Sequence, residues 1–231
     1  MNYAIIVAGG VGKRMMTNIP KQFLEISGKP ILYYTVKRFL DFLPDLQIVL
    51  VLPSNSDLLD SFKETHFPEI NNIKIVEGGE TRFHSVFNGL NSIQDEGIVF
   101  IHDGVRPFVS NSVLSNCLKT AIEFGNAIPA LDLKDSLRKI TNSSNKSVLR
   151  TEYKAIQTPQ TFTISAIKKA FELPFSPEFT DEASVYEKNG GTIHLVEGND
   201  ENIKITTPLD FQIAQILLNP NYAIGFDKGK D

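Results

Sequence analysis

The chain has 231 residues, 42% of them hydrophobic and 22% charged, with a formal net charge of −4. This is the composition of a globular protein long enough for one large core, and its acidic balance argues against a general nucleic-acid binder, so any polyanion site has to be local. The single cysteine, Cys117, excludes an intramolecular disulfide and a cysteine-built zinc site, and it reads as a buried structural thiol in a helix.

The apolar run Tyr3–Val7 ends on glycines, as a strand buried on both faces does. No charged segment precedes it, and Tyr3–Ala8 is too short for a signal sequence or a membrane span, which predicts a cytoplasmic protein without membrane partners. Pro30 suits a first helical turn, and Ile31, Leu32, Tyr34, Thr35, Phe39 and Leu40 recur at near-helical spacing. Leu46–Leu52 reads as a second central strand, stopped by Pro53. Ile73–Val76 predicts a third strand, with a helix beginning near Thr81. Ile98–His102 predicts a fourth strand, followed by a helix over Ser110–Phe124 and a short strand at Ala127–Ala130. Strands and helices alternate, so the expected class is α/β, a doubly wound and mostly parallel sheet.

The alternation breaks at residues 132–156, which are polar and charged. S-L-R-K-I and S-V-L-R-T around the turn N-S-S-N-K (142–146) predict a β-hairpin. A lone hairpin is poorly supported, so it should pack on something else, and a second subunit is the obvious candidate. Further on, a helix is expected near Ser165–Leu173, with Thr180 able to cap the next one. Thr192–Val196 predicts a strand, and a last helix has Thr207 as cap, Pro208 in its first turn and Asp210 near its positive end. The organisation expected is one domain over 1–218, an arm at about 132–156 and a C-terminal tail at 219–231.

The opening loop, A-G-G-V-G-K-R-M-M-T-N-I-P-K-Q-F, fits neither common phosphate motif. A dinucleotide fingerprint needs a third glycine where Met15 stands, and an acid at the end of the second strand, which instead runs L-P-S-N-S. A P-loop needs Ser or Thr after Gly12-Lys13, where Arg14 stands, and a glycine at Val7. Gly9, Gly10 and Gly12 still let backbone N–H groups approach a phosphate, and Arg14 and Lys21 bring charge. His102 beside Asp103 reads as a strand-end histidine rather than half of a metal pair, and His66, His84 and His194 have no ligand spacing.

A-G-G-V-G-K-R-M with P-K-Q-F is similar to the signature of sugar-phosphate nucleotidyltransferases. G-G-E-T-R-F-H-S-V, H-D-G-V-R-P-F, Q-T-P-Q, T-D-E-A-S and E-G-N-D-E-N-I-K-I-T-T-P narrow the resemblance to the 2-C-methyl-D-erythritol 4-phosphate cytidylyltransferase family over roughly residues 3–218. Ribitol-5-phosphate cytidylyltransferases share the fold and most motifs; T-D-E-A-S and the stretch around Arg150 resemble the erythritol enzymes. A nicotinamide-type dehydrogenase and a non-catalytic nucleotide sensor are the alternatives from other classes.

The resemblance implies transfer of a cytidylyl group from CTP to a sugar-alcohol phosphate, a homodimer joined through the arm, and Mg²⁺ bridging the triphosphate. It implies that Arg14 and Lys21 stabilise the triphosphate in the transition state, with Ala8, Gly9, Gly10, Gly12, Gly79, Glu80, Ser85 and Asp103 around CTP. It implies that Asp103, Arg106, Ser136, Arg150, Thr158, Thr180 and Lys204 surround the acceptor, Arg150 coming from the partner's arm and Arg106 reaching across the dimer. Threonine is familiar at the position of Ser136. Lys204, among the apolar residues of E-N-I-K-I-T, is expected at a strand end facing the cleft.

Overall fold

The structure, a computed structural model, describes residues 1–9, 19–53 and 58–219. In chain order the elements begin with β1 (Asn2–Val7), a short hairpin β2 (Glu25–Ile26) and β3 (Lys29–Pro30), α1 (Ile31–Phe42), β4 (Gln47–Leu52), α2 (Leu58–His66) and β5 (Ile73–Glu77). They continue with α3 (Arg82–Asn91), β6 (Ile98–Asp103), α4 (Asn111–Phe124), β7 (Asn126–Asp132), β8 (Leu137–Ile140), β9 (Asn145–Val148) and β10 (Lys154–Ile156). The remainder is β11 (Gln160–Thr163), α5 (Ile164–Ala170), α6 (Glu182–Lys188), β12 (Leu195–Glu197) and α7 (Pro208–Leu218).

β5, β4, β1 and β6 lie side by side and parallel. Their continuous apolar runs follow from burial on both faces, and the pleat sorts the side chains. Ala4, Ile6, Ile48, Leu50 and Phe100 join one core cluster with Leu32, Val36 and Phe39 of α1 and Leu114 and Cys117 of α4. Ile5, Val49, Val51, Val99 and Ile101 join the other with Val86 and Leu90 of α3 and Ile164 and Ile167 of α5. A two-residue period thus feeds two separate cores from the same strands, which is what doubly wound means physically.

The sheet is mixed. β11 lies between β6 and β7, antiparallel to both, while β10 pairs antiparallel and β12 parallel with β7. β11 was not expected, because Q-T-F-T lacks an apolar run; its buried Gln160 is satisfied by Asp181 and the Ala183 amide instead of by water.

Other expectations shift. Pro30 is the N-cap of α1 rather than part of its first turn. Asp181, not Thr180, caps α6, through a capping box with Ser184. The strand expected at Thr192–Val196 forms only over Leu195–Glu197, and α5 is shorter than Ser165–Leu173 at its C-terminal end. Thr207, Pro208 and Asp210 start α7 as expected. β8 and β9 form the hairpin, a two-stranded sheet apart from the main one, but the turn gives way at Asn145, and both ends of 132–156 belong to the main sheet through β7 and β10.

Phe39 is fully buried with its ring 5.9 Å from Phe100 and 5.0 Å from His102, so it ties α1 to the strand that carries the site. Phe39→Ala is expected to lower the unfolding free energy by about 3–5 kcal/mol in urea titrations, the usual cost of a cavity of that size.

Candidate active site

A cleft of about 200 Å³ opens at the carboxyl ends of β1, β5 and β6, the edge at which open α/β sheets bind ligands. Ala8 and Gly9 continue β1 into it, and the Ala8 carbonyl accepts a 2.6 Å hydrogen bond from the buried Gln22 Nε2. Gln22 lies in the 3-10 turn Lys21–Phe23, so this bond fixes the turn that carries Lys21 against the strand end. After β5, Ser85 Oγ accepts from the Gly79 amide at 3.1 Å and donates to the Thr81 carbonyl at 3.0 Å, closing a tight turn of exposed Gly79 and Glu80. A side chain at Gly79 would run into the His84 Cβ, so this turn requires glycine.

Asp103 ends β6 and is almost wholly buried. One carboxylate oxygen accepts from Arg82 Nε at 3.3 Å; the other meets Arg106 Nε and Lys204 Nζ, each at 3.1 Å. Burial alone would push the carboxyl pKa up, but Arg82, Lys204 and Arg106 hold it well below the usual carboxylate range. Arg82 also binds Glu182 of α6 through its Nη1. Burial acts to lower the Arg82 pKa, and the two acids overcome it and raise it. Glu182 is 1% exposed, its pKa is raised because burial outweighs Arg82, and its Oε2 has no hydrogen-bond partner.

Behind Asp103, Thr158 Oγ1 accepts from the Asp103 amide at 3.2 Å and bonds His102 Nδ1 at 3.0 Å. His102 Nε2 meets the Arg106 carbonyl at 2.9 Å, and burial lowers the imidazole pKa to about 4. His102 is therefore a neutral strand-end strut. Cys117 is buried in α4, where desolvation pushes its thiol up to about 12.

Ala8, Gly9, Lys21, Gly79, Glu80, Ser85, Asp103 and Lys204 thus line one cleft, with Arg106 and Thr158 directly behind it. Lys204 faces the cleft as expected, yet from an irregular segment rather than a strand end. Thr180 is exposed and borders a small hollow shared with Arg82 and Glu182. Ser136 and Arg150 are exposed on the arm, away from the cleft lining of their own chain; the Arg150 guanidinium binds the Lys134 carbonyl. Arg14, Gly10 and Gly12 lie outside the described residues. Sequence reasoning missed Arg82, Glu182 and Gln22 as site residues, although all three stand inside motifs that carried the resemblance.

Stability should report this ion cluster. Because the Asp103 pKa is depressed on folding, its contribution is fully present above the unfolded value and is lost as pH falls toward the folded one. Asp103→Asn is expected to lower the urea midpoint at neutral pH and to flatten its fall below about pH 4, the pKa of an unfolded aspartate. Glu182 acts with the opposite sign: its raised pKa costs stability as pH rises through the folded value.

A family model described as 2-C-methyl-D-erythritol 4-phosphate cytidylyltransferase matches residues 2–220. Curated enzymes of that name from Bacteroides fragilis and Bacteroides thetaiotaomicron are 49% and 47% identical to this chain, each over 93% of it and 98% of the relative. The crystal structure of 4-diphosphocytidyl-2C-methyl-D-erythritol synthase from Anaerococcus prevotii superposes with a TM-score of 0.80 at 30% identity, covering 94% of this chain and 95% of that one. The match runs through the cleft, the arm and the polar strand β11 alike, and the chain belongs to the 2-C-methyl-D-erythritol 4-phosphate cytidylyltransferase family.

Proposed function

We propose that this chain transfers the cytidylyl group of CTP to 2-C-methyl-D-erythritol 4-phosphate, giving 4-CDP-2-C-methyl-D-erythritol and pyrophosphate, a step of isoprenoid precursor synthesis. One observation carries the reading of the site: Lys21 and Lys204 line a cleft whose end carboxylate, Asp103, is buried among Arg82, Arg106 and Lys204. The family match carries the chemistry and does not favour ribitol phosphate as acceptor.

The acceptor's phosphate is mostly dianionic at neutral pH, its second pKa being about 6. Its oxygen attacks the α-phosphorus of CTP, the bond from that phosphorus to the bridging oxygen breaks, and pyrophosphate leaves. The nucleophile needs no deprotonation, so no general base is required, which agrees with a His102 held neutral and out of the cleft. What has to be overcome is repulsion between two polyanions while charge spreads over a five-coordinate phosphorus; positioning and fixed positive charge supply that. In this reading Arg14 and Lys21 serve the triphosphate, Gly79, Glu80 and Ser85 form the turn beside the base, and Lys204 and the partner's arm serve the acceptor phosphate; Arg106, expected to reach across the dimer, is instead held by Asp103 and Asn202 of its own chain and stands on the acceptor side there. Asp103, Thr158 and Thr180, with Ser136 from the arm, stand near its hydroxyls.

A divalent cation suits such a reaction. The chain offers it little of its own: among the described residues no three His, Cys, Asp or Glu groups could hold a metal, and both Asp103 oxygens already face cations. Mg²⁺ is therefore read as entering on the phosphates of CTP, as part of the substrate, consistent with its habit of taking few protein ligands.

The domain, dimer and location remain part of the proposal: one domain over 1–218 and an arm that reaches the second subunit of a homodimer. The arm supports this with six lysines and arginines against two acids between residues 133 and 154, and with exposed Ile140, Leu149 and Tyr153. Among the described residues no helix is long and apolar enough to cross a membrane; a cytoplasmic enzyme without nucleic-acid partners is the reading that fits the composition.

Pyrophosphate release with CTP is expected with the erythritol acceptor and not with ribitol 5-phosphate; the reverse preference would keep the chemistry and overturn the acceptor. Lys21→Ala is expected to lower kcat by a factor corresponding to about 3 kcal/mol, the usual cost of one preorganised donor, with little change in acceptor KM. Near-normal turnover would remove its role. Arg150→Ala and Lys204→Ala proteins, each impaired alone, are expected to regain about one quarter of wild-type activity when dissociated and reassociated together, since a mixed dimer rebuilds one of its two shared sites. Strictly additive activities would overturn the shared site.

A further inference from the structure

The cation Lys204 belongs to a stretch, residues 199–206, without helix or strand, joined to β12 through Gly198. A lysine on such a loop is ordinarily free to wander, since nothing in the backbone ladder fixes it. Two buried residues bracket it: Asn202 and Ile205, both 0% exposed. The Ile205 amide donates to the Val105 carbonyl at 3.0 Å. Asn202 is held by side chains instead.

Gln157 makes most of that hold. Its Nε2 donates to the Asn199 carbonyl at 2.9 Å while its Oε1 accepts from the Asn199 amide at 3.3 Å, so the side-chain amide pairs with the loop as a strand would. The same Oε1 accepts from Asn202 Nδ2 at 3.3 Å, and Nε2 also reaches the Asn202 carbonyl at 3.4 Å. Asn202 Nδ2 donates to the Thr158 carbonyl at 2.8 Å, and the Asn202 carbonyl accepts from Arg106 Nη1 at 2.7 Å. A side chain at Gly198 would run into Gln157 Oε1, so glycine is what lets the amide come this close. Asn199 ties the other end, donating to the Phe108 carbonyl at 3.0 Å and accepting from the Ser110 amide at 3.2 Å.

We infer that Gln157 and Asn202 are positioning residues for the acceptor-side cations, a side-chain clasp that fixes Lys204 and Arg106 relative to Asp103. The inference rests on the cytidylyl-transfer reading and adds to it two buried residues outside the lining of the cleft. Thr158, next to Gln157, holds the Asp103 amide, so one short segment carries the carboxylate through its hydroxyl and the lysine loop through its neighbour. Lys21 and the glycine turn at residue 79 are held by other bonds and do not depend on the clasp.

The test compares wild type with Asn202→Ala and, as a second route to the same break outside the cleft, Gly198→Ala. In both variants the acceptor KM is expected to rise at least about tenfold, within the roughly hundredfold that a ~1 Å misplacement can cost, while the CTP KM keeps its wild-type value. Hydrogen exchange at amides 199–206 is expected to accelerate while β1 keeps its protection. If the variants unfold more easily and the two KM values move together, the residues are merely structural and the inference is overturned; wild-type exchange and wild-type acceptor KM would overturn it as well. A wild-type chain that releases no pyrophosphate from CTP and the erythritol phosphate would overturn the reaction itself, leaving the exchange comparison to decide the clasp.

Discussion

The cations Arg82, Arg106 and Lys204 all depend on one buried carboxylate, Asp103. A site that must hold two polyanions needs several cations close together, and cations close together repel. Asp103 resolves this by sitting at the end of the most buried strand and accepting from Arg82, Arg106 and Lys204. Desolvation makes the carboxylate costly, and the three partners offset that cost. These three cations are thereby preorganised, with their side-chain entropy already spent in folding, as the proposed reaction needs.

The arrangement reaches into the body of the protein by two routes. Arg82 is anchored from the other side by Glu182 on α6, so the α3 turn and α6 are joined by an ion pair at the rim of the cleft. Thr158 and Gln157, between β10 and β11, hold the Asp103 backbone and the lysine loop. The parallel strands supply the edge at which the cleft opens, whereas the antiparallel part of the sheet supplies the struts. Each half of the mixed sheet therefore has its own task.

Much of this was legible in the sequence, and the exceptions have physical causes. β1, β4 and β6 were plain because residues buried on both faces leave an unbroken apolar run. α7 was plain because Thr207, Pro208 and Asp210 form a complete start signal. β11 was hidden because its buried Gln160 and Thr161 are satisfied inside the protein, Gln160 by Asp181 and the Ala183 amide and Thr161 by the Pro159 carbonyl, and pattern reading takes polar residues as exposed. The cap at Asp181 was assigned one residue early, since Thr and Asp stand side by side and either side chain can accept the amide. Around the cleft, Lys21, Asp103 and Lys204 were singled out through motifs, but Glu182 and Asn202 were not. Their work is done in the interior on other side chains, and no spacing rule reports a partner that is distant in sequence.

The insertion of β11 between β6 and β7 also bears on how the molecule is made. β6 and β7 are separated by α4 alone, yet they are not neighbours in the sheet. The strand that joins them is encoded only at residues 160–163, beyond the whole arm. A ribosome that has emitted the chain as far as β7 has released a parallel four-stranded layer whose β6 edge is bare, and a β7 with nothing to pair against. Vectorial synthesis leaves that edge open until about thirty further residues have emerged, and an open edge beside an apolar strand is a template for intermolecular pairing. The same polar β11 that escaped pattern reading thus closes the open β6 edge of the nascent sheet.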